Sequence, residues 1–497
     1  MSRISQFFLL GLVLIIFFWP TVGQGHMYSF GGVLNSDFVL FHLPLHEVYR
    51  QALLAYRLPW WISRVGSGYP LVAEGQLGAF YPINILLFRF FSTNTALSLS
   101  MLLHSFLAGI GTYLLVYTYT RSRGASLFSA LSFSLSGFLI THIITVNLFM
   151  TASLFPWAVL FYLKLTRKPS IGTTVKLVFI FTMQILAGYI PLFFYSIVTL
   201  LVLGILQAGK NFRKQMLFLC LLAFATALAV ALSAVQIVPT WELFHETIRQ
   251  KALSLPEATL FSFAKEGTLS LLGKVDSWDP VTVMPQHAGG FLQVASPYAY
   301  YAYLGILPII LLPLGILWAC KQRESVPLIF LGIWIFLMVL GKDTPVFALF
   351  WHLVPGMKYF RYSIHFLIFL DFLLAVFGGF GLFTLEQIVK KRLFTMAFVG
   401  FALIDLVVHQ FHIQPAKSAS FWQNKPPILE KLQHVDWFNQ RLGGFGLVEA
   451  NNWQLSVDWP LQSSLRNFLP PPITTSCLEF RLKRFTRPYS FDAKRIS

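Results

Sequence analysis

Asp37 is the acidic residue best placed for chemistry in this chain. It opens the run Asn35-Ser36-Asp37-Phe38-Val39-Leu40-Phe41-His42 in a long loop, about fifteen residues past the first apolar stretch. A carboxylate just ahead of a helix feels the positive end of the helix dipole, which keeps it charged. It can take a proton from a reacting hydroxyl, or it can be a plain N-cap; residue type alone leaves both open. Arg249, Lys358, Arg361 and His365 stand in or beside later loops. A guanidinium can grip two phosphate oxygens at once. The spacing of Lys358, Arg361 and His365 predicts one shared helix face if a helix begins there. His42 and His46 are four apart, the spacing of a metal-binding pair. Pro44 lies between them, and the sequence is not His-Glu-x-x-His, so interfacial histidines with a water or carboxylate partner are the preferred reading.

The elements that must position these groups are membrane helices. Of 497 residues, 56% are hydrophobic, 11% are charged and 51 are Phe, a balance foreign to ordinary soluble domains. A helical span needs roughly 20 mostly apolar residues. Eleven candidates meet that reading: 5–22, 96–118, 125–147, 149–166, 172–188, 190–208, 215–238, 298–319, 326–341, 362–384 and 393–412. The pair 172–188 and 190–208 could instead be one span broken at Gly188 and Pro191. Segment 78–92 holds Pro82 and Arg89 and reads as interfacial or re-entrant. The fold class is thus an all-α polytopic membrane protein with 1–412 as its membrane unit. The segment 413–497 forms a tail or partial domain.

Short basic loops stay cytoplasmic. With the N-terminus inside, every second loop is basic: Arg121 to Arg123, Lys164 to Lys168, Lys210 to Lys214, Lys321 to Arg323 and Lys390 to Arg392. Loops 23–95, 239–297 and 342–361 and the tail then face outward. Residues 1–22 lack a small-residue cleavage site and read as an anchoring helix. Much of the net charge of +17 is this bias together with contact to anionic lipid headgroups, not a nucleic-acid surface. The three cysteines are kept apart by this topology, so no disulfide framework is available. No phosphate-binding Gly-rich loop, paired-cysteine metal signature or Gly-x-Ser-x-Gly elbow occurs.

In the first outer loop Phe41, Leu45, Val48, Ala52 and Tyr56 recur at helical spacing with His42, His46, Arg50 and Arg57 between them. This predicts an amphipathic helix lying along the membrane surface. Asp371 falls mid-span, and Asp405 in the outer part of the last span. Charges at that depth cost roughly 2.5–3.5 kcal/mol on insertion scales. The preferred reading is a structural hydrogen bond; a proton or ion path is the alternative.

Five ordered segments carry a resemblance. They are Ser36-Asp37 through Leu58-Pro59-Trp60-Trp61, Gly68-Tyr69-Pro70, Glu74-Gly75-Gln76 and Phe80-Tyr81-Pro82; Leu186-Ala187-Gly188-Tyr189; Gln236 through Glu242 to Arg249; Tyr303 through Pro308; and Leu340-Gly341 through Pro355-Gly356, Phe360-Arg361-Tyr362 and His365-Phe366. Together, over about residues 30–412, they resemble the bacterial YfhO-type membrane proteins, which are similar to GT-C class glycosyltransferases. The resemblance implies a multi-pass protein of the bacterial cytoplasmic membrane that transfers a sugar from a polyprenyl-phosphate donor at the non-cytoplasmic face. The acceptor would be a glycan, a teichoic-acid-like polymer or a protein. It implies Asp37 as the catalytic residue and Arg361, Arg249, Lys358 and His365 around the donor phosphate. His42, Tyr69, Glu74, Gln76, Tyr81 and Glu242 become substrate-groove candidates, and a divalent cation is left open. The chain departs from the pattern at two places: Tyr189-Ile190-Pro191 replaces His-Pro-Gln, and His365 stands where a second arginine is expected. The alternatives are a lipid-linked glycan transporter or flippase, and a non-catalytic scaffold built on the same fold.

Overall fold

The computed structural model describes residues 3–28, 38–62, 68–259, 262–263, 270–273, 300–413 and 416–418. Among them, seven helices are long and apolar enough to cross a membrane: Thr93–Thr120, Arg123–Ile144, Val146–Arg167, Ile190–Ala208, Phe212–Leu232, Ser363–Val389 and Leu393–Phe411. Four shorter apolar helices, Arg3–Phe17, Ile171–Leu186, Ile306–Lys321 and Val326–Val339, fall at the remaining expected positions. The chain is a predominantly helical, multi-pass membrane protein. Its small β element joins His26–Tyr28 antiparallel to Ala416–Ser418, which ties the start of the first long loop to the end of the last helix.

The helices sort by burial. Arg123–Ile144, Val146–Arg167 and Ser363–Val389 form the centre, each 89% buried along its apolar window. Phe155 meets Phe369 at 4.3 Å and Phe372 at 5.4 Å there. Close approach between Ile306–Lys321 and the central Leu367–Val389 helix depends on small residues: a Cβ on Gly315 would lie 1.9 Å from the Phe377 carbonyl oxygen. Phe212–Leu232 and Leu393–Phe411 are 22% and 17% buried and present apolar side chains outward, as helices facing lipid must.

The uncertain pair resolves into a helical hairpin. Gly188, at φ +94°, makes the turn between Ile171–Leu186 and Ile190–Ala208. Thr166 donates to Gln207 at 2.8 Å, so the second helix returns to the end from which the first departs. Segment 82–90 is a nine-residue helix, too short to cross at about 1.5 Å per residue. Expected span 298–319 begins late, at Ile306. Gly305 adopts φ +96°, and the Asp405 carboxylate accepts the Ile306 N–H at 2.8 Å and the Tyr303 hydroxyl. His409 Nδ1 lies 3.0 Å from the same carboxylate. Asp405 is therefore a helix cap that links two helices.

The first-loop helix differs from expectation. It runs Leu43–Leu54 behind a π-type turn, Phe38–His42; Glu47, Arg50 and Gln51 form its more exposed face, but its two histidines pack into protein. His42 and His46 are both 1% exposed. His46 stacks on Phe88 at 4.9 Å and bonds the His42 carbonyl through Nδ1 at 2.6 Å. Burial pushes the His46 imidazole down to about 4, with its backbone bonds opposing the shift, and holds His42 well below its usual value. Both rings are neutral packing residues. The fully buried Tyr49 donates to the Ala79 carbonyl at 2.7 Å, while Tyr56 lies past the helix end and is 86% exposed.

Candidate functional site

The loops collect at two ends of the bundle. One end holds the basic loops: Arg3 lies over Tyr117, Arg167 pairs with Glu324, and Ser122 donates to Glu386. At the other end, four of the five segments that carry the sequence resemblance meet. Asp37 lies outside the described residues; the described helical run starts at the next residue, Phe38, which is buried.

The short helix Leu71–Glu74 is the hub. Gln236 Nε2 donates to the Val72 carbonyl at 2.9 Å and Thr240 Oγ1 to the Ala73 carbonyl at 2.8 Å. Gly75 follows at φ +87°. The Gln76 backbone N–H donates to the Glu74 carboxylate at 2.9 Å, and so does its side-chain amide. Gly188 packs directly on this turn, and a Cβ there would stand 2.4 Å from the Gly75 carbonyl oxygen. Asn147 Nδ2 donates to the Gly188 carbonyl at 3.0 Å and reaches Gln76 Oε1 at 3.5 Å. Burial pushes the Glu74 carboxyl up to about 7, against the lowering effect of the Gln76 bonds and of the Arg249 charge. Tyr69 sits beside it; burial, then the Glu74 charge, raises its phenol.

The last motif closes on the same end. Tyr195 donates to the Arg361 carbonyl at 3.0 Å, and Tyr189 Oη lies 3.4 Å from His365 Nε2. The two departures from the expected pattern, Tyr189 and His365, therefore face each other. Tyr362 bonds back to the Ala258 carbonyl at 3.0 Å, and the charge of Arg361 reaches Glu257, whose carboxyl is held below the usual range chiefly by its Ser254 bonds.

Several expected site residues take other places. Lys358 lies in the turn Met357–Tyr359 and His365 in the separate turn Ser363–Phe366, with Tyr362 at φ +72° between them. Lys358, Arg361 and His365 therefore share no helix face. Lys358 Nζ sits 5.1 Å above the Trp351 ring, Arg361 is half-buried, and His365 is 6% exposed. Tyr81 is fully buried and bonds His104 at 2.8 Å, so it lines no open groove. Glu242 and Arg249 are exposed. Among the described residues no three His, Cys, Asp or Glu side chains gather as a metal would require.

Sequence reading missed Asn147, Gln236 and Thr240 as site-building residues. Asn147 was legible in principle, as a polar group inside an apolar run. Asp371 is 0% exposed and faces the Ser136 hydroxyl and the Phe138 N–H at a break between helices Arg123–Ser134 and Gly137–Thr141. Its two oxygens lack hydrogen-bond partners among the described residues.

No protein-family model matches the sequence, and no curated protein matches it. Solved structures do. The chain is similar to the single-particle cryo-EM structure of arabinofuranosyltransferase AftD from Mycobacteria, with TM-score 0.53 and 15% identity over 93% of this chain and 31% of that one. A mutant form of that enzyme gives TM-score 0.50 and 14% identity, over 93% and 32%. The archaeal oligosaccharyltransferase AglB from Archaeoglobus fulgidus, in complex with an inhibitory peptide and a dolichol-phosphate, gives 0.47 and 11%, over 87% and 59%. The chain therefore shares its fold with part of that arabinofuranosyltransferase. The chain spans about a third of the arabinofuranosyltransferase it matches.

Proposed function

We propose that this protein is a membrane glycosyltransferase that moves a sugar from a polyprenyl-phosphate donor to an acceptor hydroxyl at the non-cytoplasmic face. The supporting observation is the meeting of four motif-bearing segments around Glu74, Gly188 and Arg361 at the end of a GT-C type bundle that lies opposite the basic loops. The basic end is read as cytoplasmic.

In this reading the acceptor oxygen attacks the anomeric carbon, its proton passes to Asp37, and the bond from that carbon to the phosphate oxygen breaks. Negative charge grows on the departing lipid phosphate, where Arg361, Arg249 and Lys358 supply compensation. His365 leaves this group because it is buried against Tyr189.

A transporter of lipid-linked glycans is the second reading. The helix break at Ser136 beside the buried Asp371 favours it, since broken helices near ionisable groups mark transport sites. One experiment separates the two. Purified protein in nanodiscs is given radiolabelled polyprenyl-phosphate sugars and a mixed glycan acceptor, and sugar release is compared with lipid translocation in proteoliposomes. Transfer is expected. Arg361→Ala should weaken donor binding by about 1.5–3 kcal/mol, the scale of a lost charged hydrogen bond, with Arg361→Lys in between. Translocation without transfer would establish the transporter.

A further inference from the structure

At the basic end of the bundle the first helix, Arg3–Phe17, meets the helix Thr93–Thr120, and arginines converge there on one phenol. Arg3 Cζ lies 4.3 Å from the centre of the Tyr117 ring, and Arg121 Cζ 5.8 Å from it. The Tyr117 hydroxyl receives hydrogen bonds from the Arg3 and Arg123 guanidiniums. Packing fixes the platform beneath. Tyr113 stacks on Tyr117 at 6.0 Å with 5° between the planes, Phe7 meets Tyr113 edge-on at 5.0 Å, and Tyr113 donates to the buried Gln6. The three arginines are exposed and Tyr117 is half-buried, so a ligand reaches them from the surface without any opening of the bundle.

Three features define the ligand. First, the cluster is rich in donors and poor in acceptors. A guanidinium offers only N–H donors, and two of them already use the lone pairs of the phenol oxygen. The phenol's own proton is then left to give. Second, the charge is not neutralised within the protein. An aromatic ring orients a cation and leaves its charge in place. The ion pairs among the described residues, Arg50 with Glu47, Arg167 with Glu324 and His409 with Asp405, include neither Arg3 nor Arg121. An anion with several acceptor oxygens on one centre meets both needs, and a phosphate is such a group. Third, an apolar path leads away from the charges. Ile4, Phe8, Leu12 and Ile15 recur at helical spacing down the first helix and are all exposed. Tyr117 itself lies in the last turn of the membrane-crossing helix Thr93–Thr120, which is headgroup depth. A phosphate with an apolar chain attached fits this arrangement better than a free one.

We propose that Arg3, Arg121, Arg123 and Tyr117 form a binding site for the phosphate of an anionic phospholipid in the leaflet at the basic end, with an acyl chain lying along Ile4, Phe8 and Leu12. Bound there, one headgroup holds the first helix to the helix Thr93–Thr120. The site is at the end opposite the Glu74 turn and is independent of the glycosyltransferase reading. It differs from the general positive bias of the basic loops, because it depends on one phenol and the arginines gathered around it.

The test measures binding of phosphatidylglycerol and of phosphatidylcholine to the detergent-purified full chain by native mass spectrometry, with glycerol phosphate as the water-soluble arm. The wild type should bind phosphatidylglycerol about tenfold more tightly than phosphatidylcholine, the scale of one charged hydrogen bond. Arg3→Gln and Tyr117→Phe should each remove most of that preference. Arg213→Gln, at the exposed start of the helix Phe212–Leu232, should keep it. Should Arg3→Gln misfold, Tyr117→Phe decides, because it keeps the ring and removes only the hydroxyl. No preference in the wild type, or a preference retained in Tyr117→Phe, overturns the site. An equal loss in Arg213→Gln would mean that diffuse charge governs binding, and it overturns the site as well. Glycerol phosphate bound as tightly as phosphatidylglycerol would give the cluster to a soluble phosphate and overturn the lipid.

Discussion

The two ends of the helix bundle are built on different principles. At the basic end, charges lie near solvent. Arg167 reaches Glu324 at 2.7 Å, yet the glutamate side chain is 69% exposed, and Arg3 and Arg167 rest over the Tyr117 and Tyr119 rings at 4.3 and 4.7 Å. At the opposite end, polar groups are buried, mostly neutral, and joined through backbone atoms: Gln236, Thr240, Asn147 and Tyr195 all bond carbonyls of other segments. Exposed charges tolerate change because water and lipid headgroups replace a lost partner. Buried backbone-linked groups do not, because nothing replaces theirs. The first end carries exposed charge; the second holds a shape.

Four substitutions test that difference between the ends. The largest effect is expected at Asp37→Asn, which keeps the shape and removes the charge. Transfer should fall by about a hundredfold or more, the usual scale for a lost general base, with the thermal midpoint nearly unchanged. Full transfer by the purified variant would remove Asp37 from the chemistry, and a loss of folding would return it to an N-cap.

Gly188→Ala comes next. The left-handed backbone and the 2.4 Å approach of the new Cβ to the Gly75 carbonyl should together cost about 2–4 kcal/mol, from roughly 1–2 for the conformation and the rest for overpacking. Thermal unfolding and donor binding should both suffer. An unchanged midpoint would mean the two turns are not locked together.

Glu74 predicts a pH dependence. Its carboxyl, at about 4.5 when free, is raised to about 7 by burial. The stability linked to the neutral acid is therefore fully present below about pH 4.5 and is lost as pH rises through 7. Glu74→Gln, neutral throughout, should flatten the dependence of the midpoint on pH between 5 and 8 relative to wild type. Parallel curves for the two proteins would show that Glu74 is charged across that range.

The smallest effect belongs to the basic end. Arg167→Ala should cost about 1 kcal/mol or less and leave transfer at the wild-type level. A loss of transfer would show that the two ends are coupled, and the contrast between them would fail.

The location of the helices was legible in the sequence, because an apolar run of sufficient length has no other stable state in a bilayer. The break at Gly188 and Pro191 was equally legible as a place, but whether one span or two resulted depended on where Gln207 returned, and that is a contact with Thr166. Amphipathic patterning misjudged His42 and His46, since polarity was taken for exposure: both are buried in the fold, and the Pro82–Phe90 helix covers His46. Spacing likewise misjudged Lys358, Arg361 and His365, because a left-handed Tyr362 interrupts any common helix.

By itself, the sequence determined a multi-pass helical protein, the alternation of basic loops, and the segments worth watching. Each of these is a local property of composition or order along the chain. That Glu74, Gly188, Asn147, Tyr189 and His365 belong to one linked set of contacts follows from the packing of the helices. Their bonds join residues 41 to 176 positions apart, and separations of that kind are set by how helices pack, which no local pattern records.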